Sequence, residues 1–178
     1  LRAGLLKGSF IPDKTFRELR HLTRYRKSIV RDITAQKNRI DKFLQSSGFR
    51  FTAFLSDAFG ASGQNIIRHL MEYVNISREA LDRCLKTQTR KRIDEILIAL
   101  NGSLSEHQRG FLRMIFGHLE ALEQHRHTVE DAITKEITKH EEALSLLCSI
   151  PGIDVTAAAA IIAEIGTDMS AFPDSQHI

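Results

Sequence analysis

The chain has 178 residues, 42% of them hydrophobic and 26% charged, enough apolar material for one domain or two small ones. No apolar run approaches the roughly 18 residues that span a bilayer, and the opening "LRAGLLKGSFIP" does not read as a signal peptide, so a soluble protein is expected. A net charge of +3 is too small to argue by itself for a polyanionic partner, and the cysteines, Cys84 and Cys148, suit a reducing cytoplasm better than a disulfide framework.

With few prolines and glycines and no alternating β-branched runs, helix is the default, and the expected fold class is all-α. The first element is a long helix from Asp13, a plausible N-cap after Pro12, to about Leu44, with Ser46, Ser47 and Gly48 as its stop. Phe16, Leu19, Leu22, Ile29, Ile33, Ile40, Phe43 and Leu44 keep one face apolar. At 1.5 Å per residue such a helix is on the order of 50 Å long. Arg17, Arg20, Arg24, Lys27 and Arg31 recur every three or four residues on the opposite face, with only Glu18 and Asp32 near them. Cations without acidic neighbours favour a polyanion, and phosphate contacts on such a ridge would be salt-dependent and blind to sequence. A plain solvated face is the other reading of the same residues.

Residues 49–104 read as a small inserted helical subdomain. It opens with "FRFTAFLSDAFGASG" and continues in helices from Ser62 to Tyr73, Ser77 to Leu85 and Thr89 to Leu100, with serine N-caps and an Asn101-Gly102 stop. A second long helix, residues 105–148, starts at Ser105 with Gln108 completing a capping box. Its apolar stripe runs Leu112, Ile115, Leu119, Leu122, Val129, Ile133, Ile137, His140, Leu144 and Leu147, a coiled-coil-like spacing. The two long helices are expected to form a hairpin. An antiparallel pair within the chain and a coil between chains both satisfy the seams, and Val129, Ile133, Ile137 and Leu144 are the candidate oligomerisation residues.

Residues 149–178 follow as a helix-hairpin-helix-like segment. Leu147 and Ile150 close one helix, Pro151, Gly152, Ile153 and Asp154 make the hairpin, and Thr156 to Ile165 form the next helix. Proline stops the incoming helix, glycine permits the sharp turn, and Ala157 to Ala160 let two helices approach closely. Backbone N–H groups at such a corner can hold a phosphate, which makes Gly152, Ile153 and Thr156 candidate nucleic-acid contacts. Asp154 caps the second helix but repels phosphate, so a simple packing corner is equally open. His125 and His127, two apart, fall on different helix faces, and no ligand spacing, nucleophile motif or phosphate loop is found, so neither a metal site nor a catalytic residue is expected. The chain begins at Leu1 without a methionine and ends in "FPDSQHI" without a helix stop, as a segment of something longer would.

Three stretches together, "LRAGLLKGSFIPDKTFRELRHLTRYRKSIV", "SDAFGASGQNIIRHL" and "IPGIDVTAAAAIIAEIGTDMSAFP", resemble the insertion-sequence transposases of the IS110 type, relatives of the Piv-type DNA invertases. That resemblance implies a RuvC-like nuclease domain with a four-carboxylate site using Mg, a helical coiled-coil middle, and a C-terminal transposase domain with a serine nucleophile. It implies that residues 1–48 close the nuclease-domain connection and form the first long helix, that residues 149–178 open the transposase domain, and that both catalytic centres and any cofactor lie outside this chain. The partners it implies are DNA, a guide-type non-coding RNA and further copies of the chain, as a dimer or tetramer, with no membrane. The alternative from another class is a structural coiled-coil interaction module without nucleic-acid contact.

Overall fold

A computed structural model describes residues 14–172, and every regular element among them is helical. The elements are α1 (Lys14–Ser46), α2 (Ala61–Glu72), α3 (Arg78–Cys84), α4 (Thr87–Arg90), α5 (Ile93–Ala99), α6 (Glu106–Ile137), α7 (Glu141–Cys148) and α8 (Val155–Ile165), with short 3₁₀ turns at Phe51–Phe54, Thr138–His140 and Met169–Ala171. The all-α expectation is correct. Asp13, the expected first cap, lies outside the described residues, as do the rest of residues 1–13 and residues 173–178.

Local chemistry explains most helix boundaries and the departures from expectation. The capping box is present: the Ser105 N–H donates to Gln108 Oε1 at 2.9 Å, and the Gln108 N–H donates to Ser105 Oγ at 3.2 Å. Ser77 caps α3 as expected, its side chain accepting from the Ala80 N–H. Ser62 does not cap α2. The helix begins one residue earlier behind Gly60, and Ser62 is buried in the first turn, where its hydroxyl accepts the Lys86 N–H at 3.0 Å. The expected helix from Thr89 to Leu100 is two pieces, α4 and α5. The second long helix is likewise interrupted, at Thr138–His140. Thr134 and Thr138 each turn a hydroxyl back onto a carbonyl of the preceding turn, Glu130 and Lys135 respectively, which loosens the backbone ladder where β-branched residues already crowd it.

The chain divides into two compact units. One takes in the described residues up to Val30 and from Gln124 onward; the other is Arg31–Glu123. In the second unit, Ile40, Leu44, Phe49, Phe51, Ile66, Ile67, Leu70, Leu81, Ile96, Leu112, Phe116 and Leu119 make the core, each essentially without solvent contact. Lys37 pairs with Glu123, and Phe43 meets Phe111 edge-on, so α1 and α6 run antiparallel here. Gln36 is the buried polar residue of this seam, and its amide donates to the Ile115 carbonyl at 2.6 Å, which removes the cost of burying it.

In the first unit α1 and α6 are again antiparallel, with Arg26 on Glu130 and the Phe16 ring stacked 4.8 Å from that of His140. Leu19, Ile29, Val129, Ile133, Ile137, Ala158, Ala159, Ile162 and Ala163 are buried, and α7 packs on α8. Of the two ways to satisfy the seam, an intrachain pair and a coil between chains, the chain by itself shows the first. Val129, Ile133 and Ile137 are 9%, 5% and 0% exposed within a single chain, and Leu144 is half-buried, so the fold itself consumes that surface.

Candidate nucleic-acid interface

The cation ridge lies on α1, and α8 is what the sequence did not show beside it. Arg20 reaches the C-terminal end of α8, its Nε donating to the Ala163 carbonyl at 3.0 Å and its Nη2 to the Glu164 carbonyl at 2.7 Å. Those carbonyls belong to the last turn of α8, where intrahelical partners are missing, and a guanidinium supplies them. Arg24 takes the Glu164 carboxylate with both arms of its fork, Nε to Oε1 and Nη2 to Oε2, each at 2.9 Å. Arg20 Nε also lies 3.1 Å from Glu164 Oε2. The ridge is opposite the main apolar stripe, as its spacing requires, but Arg20 and Arg24 are neither unpaired nor idle in packing. Arg17 and Lys27 are exposed and make no hydrogen bond or ion pair with any described residue, and the same holds for Arg31 one turn further on.

Glu164, which pairs with two of the ridge cations, is the residue of this region that sequence reasoning does not single out. Its signal was visible: it is the only charged side chain in α8, otherwise Val, Thr, Ala and Ile. The Arg24 hydrogen bond holds its carboxyl below the ordinary carboxylate range against the opposing effect of burial, and the charges of Arg24 and Arg20 add to the lowering. A carboxylate whose folded value is depressed adds stability above its unfolded value, near 4.3, and loses it as pH falls through the folded one. Acidification below about pH 4 is therefore expected to loosen α8 from α1, with no effect near neutrality. Amide exchange at Ala158 to Ala163, compared between the parent and Glu164→Gln, checks this; the variant should lack the acid-dependent opening.

The turn between α7 and α8 is as tight as Pro151-Gly152 implies. Gly152 has φ +91°, a left-handed conformation that side chains rarely adopt, and the Ile153 N–H closes the turn on the Ile150 carbonyl at 3.1 Å. Asp154 is the N-cap of α8, its Oδ1 accepting the Ala157 N–H at 2.8 Å. Gly152 and Thr156 are exposed and Ile153 half-buried. A cavity of about 370 Å³ opens beside this helix start, with Val30, Ile133, Ala157 and Ala160 as apolar lining and Lys27, Arg26, Thr23, Asp154 and Thr156 as polar lining. Lys27 of the ridge and Thr156 of the corner, singled out separately, thus share one cavity. Gly152 and Ile153 do not line it.

No group of three or more His, Cys, Asp or Glu among the described residues is placed to hold a metal ion. No described helix is long and apolar enough to cross a membrane. Both cysteines are free thiols, and burial pushes that of Cys84 up, away from the reactive thiolate.

Two family models match the chain. The IS110 model of the DEDD type, described as transposase, matches residues 1–48, and the model described as the transposase IS116/IS110/IS902 family matches residues 144–178. No curated protein and no solved structure matches. Arg20 and Arg24 lie in the first matched stretch and Glu164 in the second, so the contact between α1 and α8 ties the two together. Both matches point to one kind of protein, and over residues 1–48 and 144–178 the chain is similar to transposases of the IS110 type.

Proposed function

We propose that this chain is the helical part of the transposase that holds nucleic acid, presenting the exposed cations of α1 to the phosphates of DNA and of a guide-type non-coding RNA, while bond breaking is done by domains outside it. The observation that carries this reading is the set Arg17, Lys27 and Arg31, exposed along one helix and without an acidic partner among the described residues. Arg24 adds a side chain 67% exposed beside them. The corner at Gly152, Ile153 and Thr156 is a second contact in this reading, its phosphate affinity reduced by the Asp154 carboxylate. The protein acts in the cytoplasm as a homodimer or tetramer, and since Val129, Ile133 and Ile137 are spent inside the fold, copies meet through other residues. Mg belongs to the nuclease domain of the whole transposase and has no role in this region.

The test is a salt titration of binding to one mixed-sequence RNA and one unrelated DNA duplex, comparing the parent with the triple variant Arg17→Gln, Lys27→Gln, Arg31→Gln. Arg20 is left alone because its carbonyl bonds are structural. Weaker binding on both probes, and a salt dependence flatter by roughly one unit of slope per lost contact, is the expected result. Unchanged affinity and slope on both would leave the ridge as a solvated face and the chain as a structural module.

A further inference from the structure

We propose that Glu164 sets the affinity of the α1 ridge for nucleic acid, by occupying the Arg24 guanidinium that otherwise takes a phosphate. This rests on the reading of the ridge as a phosphate-binding surface. The fork that Arg24 makes with the carboxylate, two parallel bonds of 2.9 Å, is the geometry in which a guanidinium grips a phosphate. The pair is open to solvent, with the Arg24 side chain 67% and the Glu164 side chain 44% exposed, so a polyanion can reach it without moving a helix. Exposed pairs of this kind are weak and screened, hence exchangeable.

Arg20 and Arg24 divide the work. Arg20, its side chain 22% exposed, is fixed by two carbonyls at the end of α8 and stays where it is. When Arg24 swings to a phosphate, Arg20 remains 3.1 Å from Glu164, so the released carboxylate keeps a cation and the α8 contact survives. Glu164 is not placed for the sake of its own helix. In the last turn of α8 its charge opposes the helix dipole, which favours cations there. Its benefit therefore lies in what it does to α1.

Glu164→Gln should tighten binding of both the mixed-sequence RNA and the DNA duplex by about threefold to tenfold at low salt, and steepen the salt dependence by roughly one unit. Combined with Arg24→Gln, it should change little relative to Arg24→Gln alone, because its effect is routed through that guanidinium. Glu164→Ala, which suits an alanine-rich helix, should act in the same direction and guards against a folding defect peculiar to Gln. Far-UV circular dichroism establishes that each variant is folded. Unchanged or weaker binding in both folded Glu164 variants, while the triple ridge variant still loses affinity, overturns the inference and leaves the ridge reading standing. If the triple variant binds like the parent, the ridge reading falls and the inference with it.

Discussion

Ile137→Asp is expected to unfold the unit formed by the two ends of the chain. Ile137 is 0% exposed, at the last residue of α6, in the unit whose buried residues also include Leu19, Ile29, Ile133, Ala158, Ala159, Ile162 and Ala163. Truncating such a side chain costs roughly 2–5 kcal/mol, and placing a carboxylate there adds several kcal/mol for an unpaired charge out of water. A domain is stable by only about 5–15 kcal/mol in total, so the sum is comparable with everything that holds the unit together. Ile137→Val, which removes one methyl group, should cost only about 0.5–1.5 kcal/mol. Thermal unfolding followed by circular dichroism, with amide exchange to localise the loss, measures both. A folded Ile137→Asp chain with the parent's melting temperature but altered molar mass in light scattering would show that the seam serves contacts between chains after all.

Gly63→Ala carries the other large effect, in the unit Arg31–Glu123. A Cβ at this position would overlap the Ala58 carbonyl oxygen and press on Leu55. The obstacle is backbone, which cannot rotate aside as a flexible side chain would, so the start of α2 must shift. That shift breaks the bond from the Lys86 N–H to Ser62 and disturbs Ile66 and Ile67, both fully buried. A loss of about 3 kcal/mol or more is expected, the range of overpacked cores with a displaced backbone. Gly110→Ala and Gly117→Ala are the controls. Both glycines sit within α6 with nothing within 4 Å of the added atom, so alanine should stabilise the helix by about 0.5–1 kcal/mol at each. Chemical denaturation of the three variants against the parent decides the point; Gly63→Ala with the stability of Gly110→Ala would overturn the packing argument.

Much of the helical layout was legible because it depends on neighbours in the chain. Apolar side chains three and four apart gave away α1 and α6, and Ser77 and the Ser105-Gln108 box marked helix starts through bonds closed within a few residues. Where prediction failed, the competing interaction came from farther away or from subtler backbone chemistry. Ser62 looks like a cap until a strand of chain from Lys86 claims its hydroxyl. The long second helix looks continuous because threonine is tolerated in helices, yet Thr134 lies one turn before its break at Thr138–His140 and Thr138 opens it.

The candidate interface divides along the same line. That Arg17, Arg20, Arg24, Lys27 and Arg31 share a face opposite the apolar stripe follows from the 100° step of a helix, so the sequence by itself determined that α1 carries a basic side. It also determined the corner at Gly152, since only glycine takes φ +91° without strain and proline ends the helix before it. Which cations are free was decided by the tertiary structure alone. Arg20 and Glu164 are separated by 144 residues, and no periodicity relates them; folding α8 along α1 sets a carboxylate and two unpaired carbonyls against guanidinium groups that the chain leaves without an acidic neighbour. The seam has the same history. Its apolar spacing demands a partner but is indifferent to whether that partner is another chain or this one, and burial of Val129, Ile133 and Ile137 by their own chain is a property of three-dimensional packing, where surface removed from water counts equally whatever covers it.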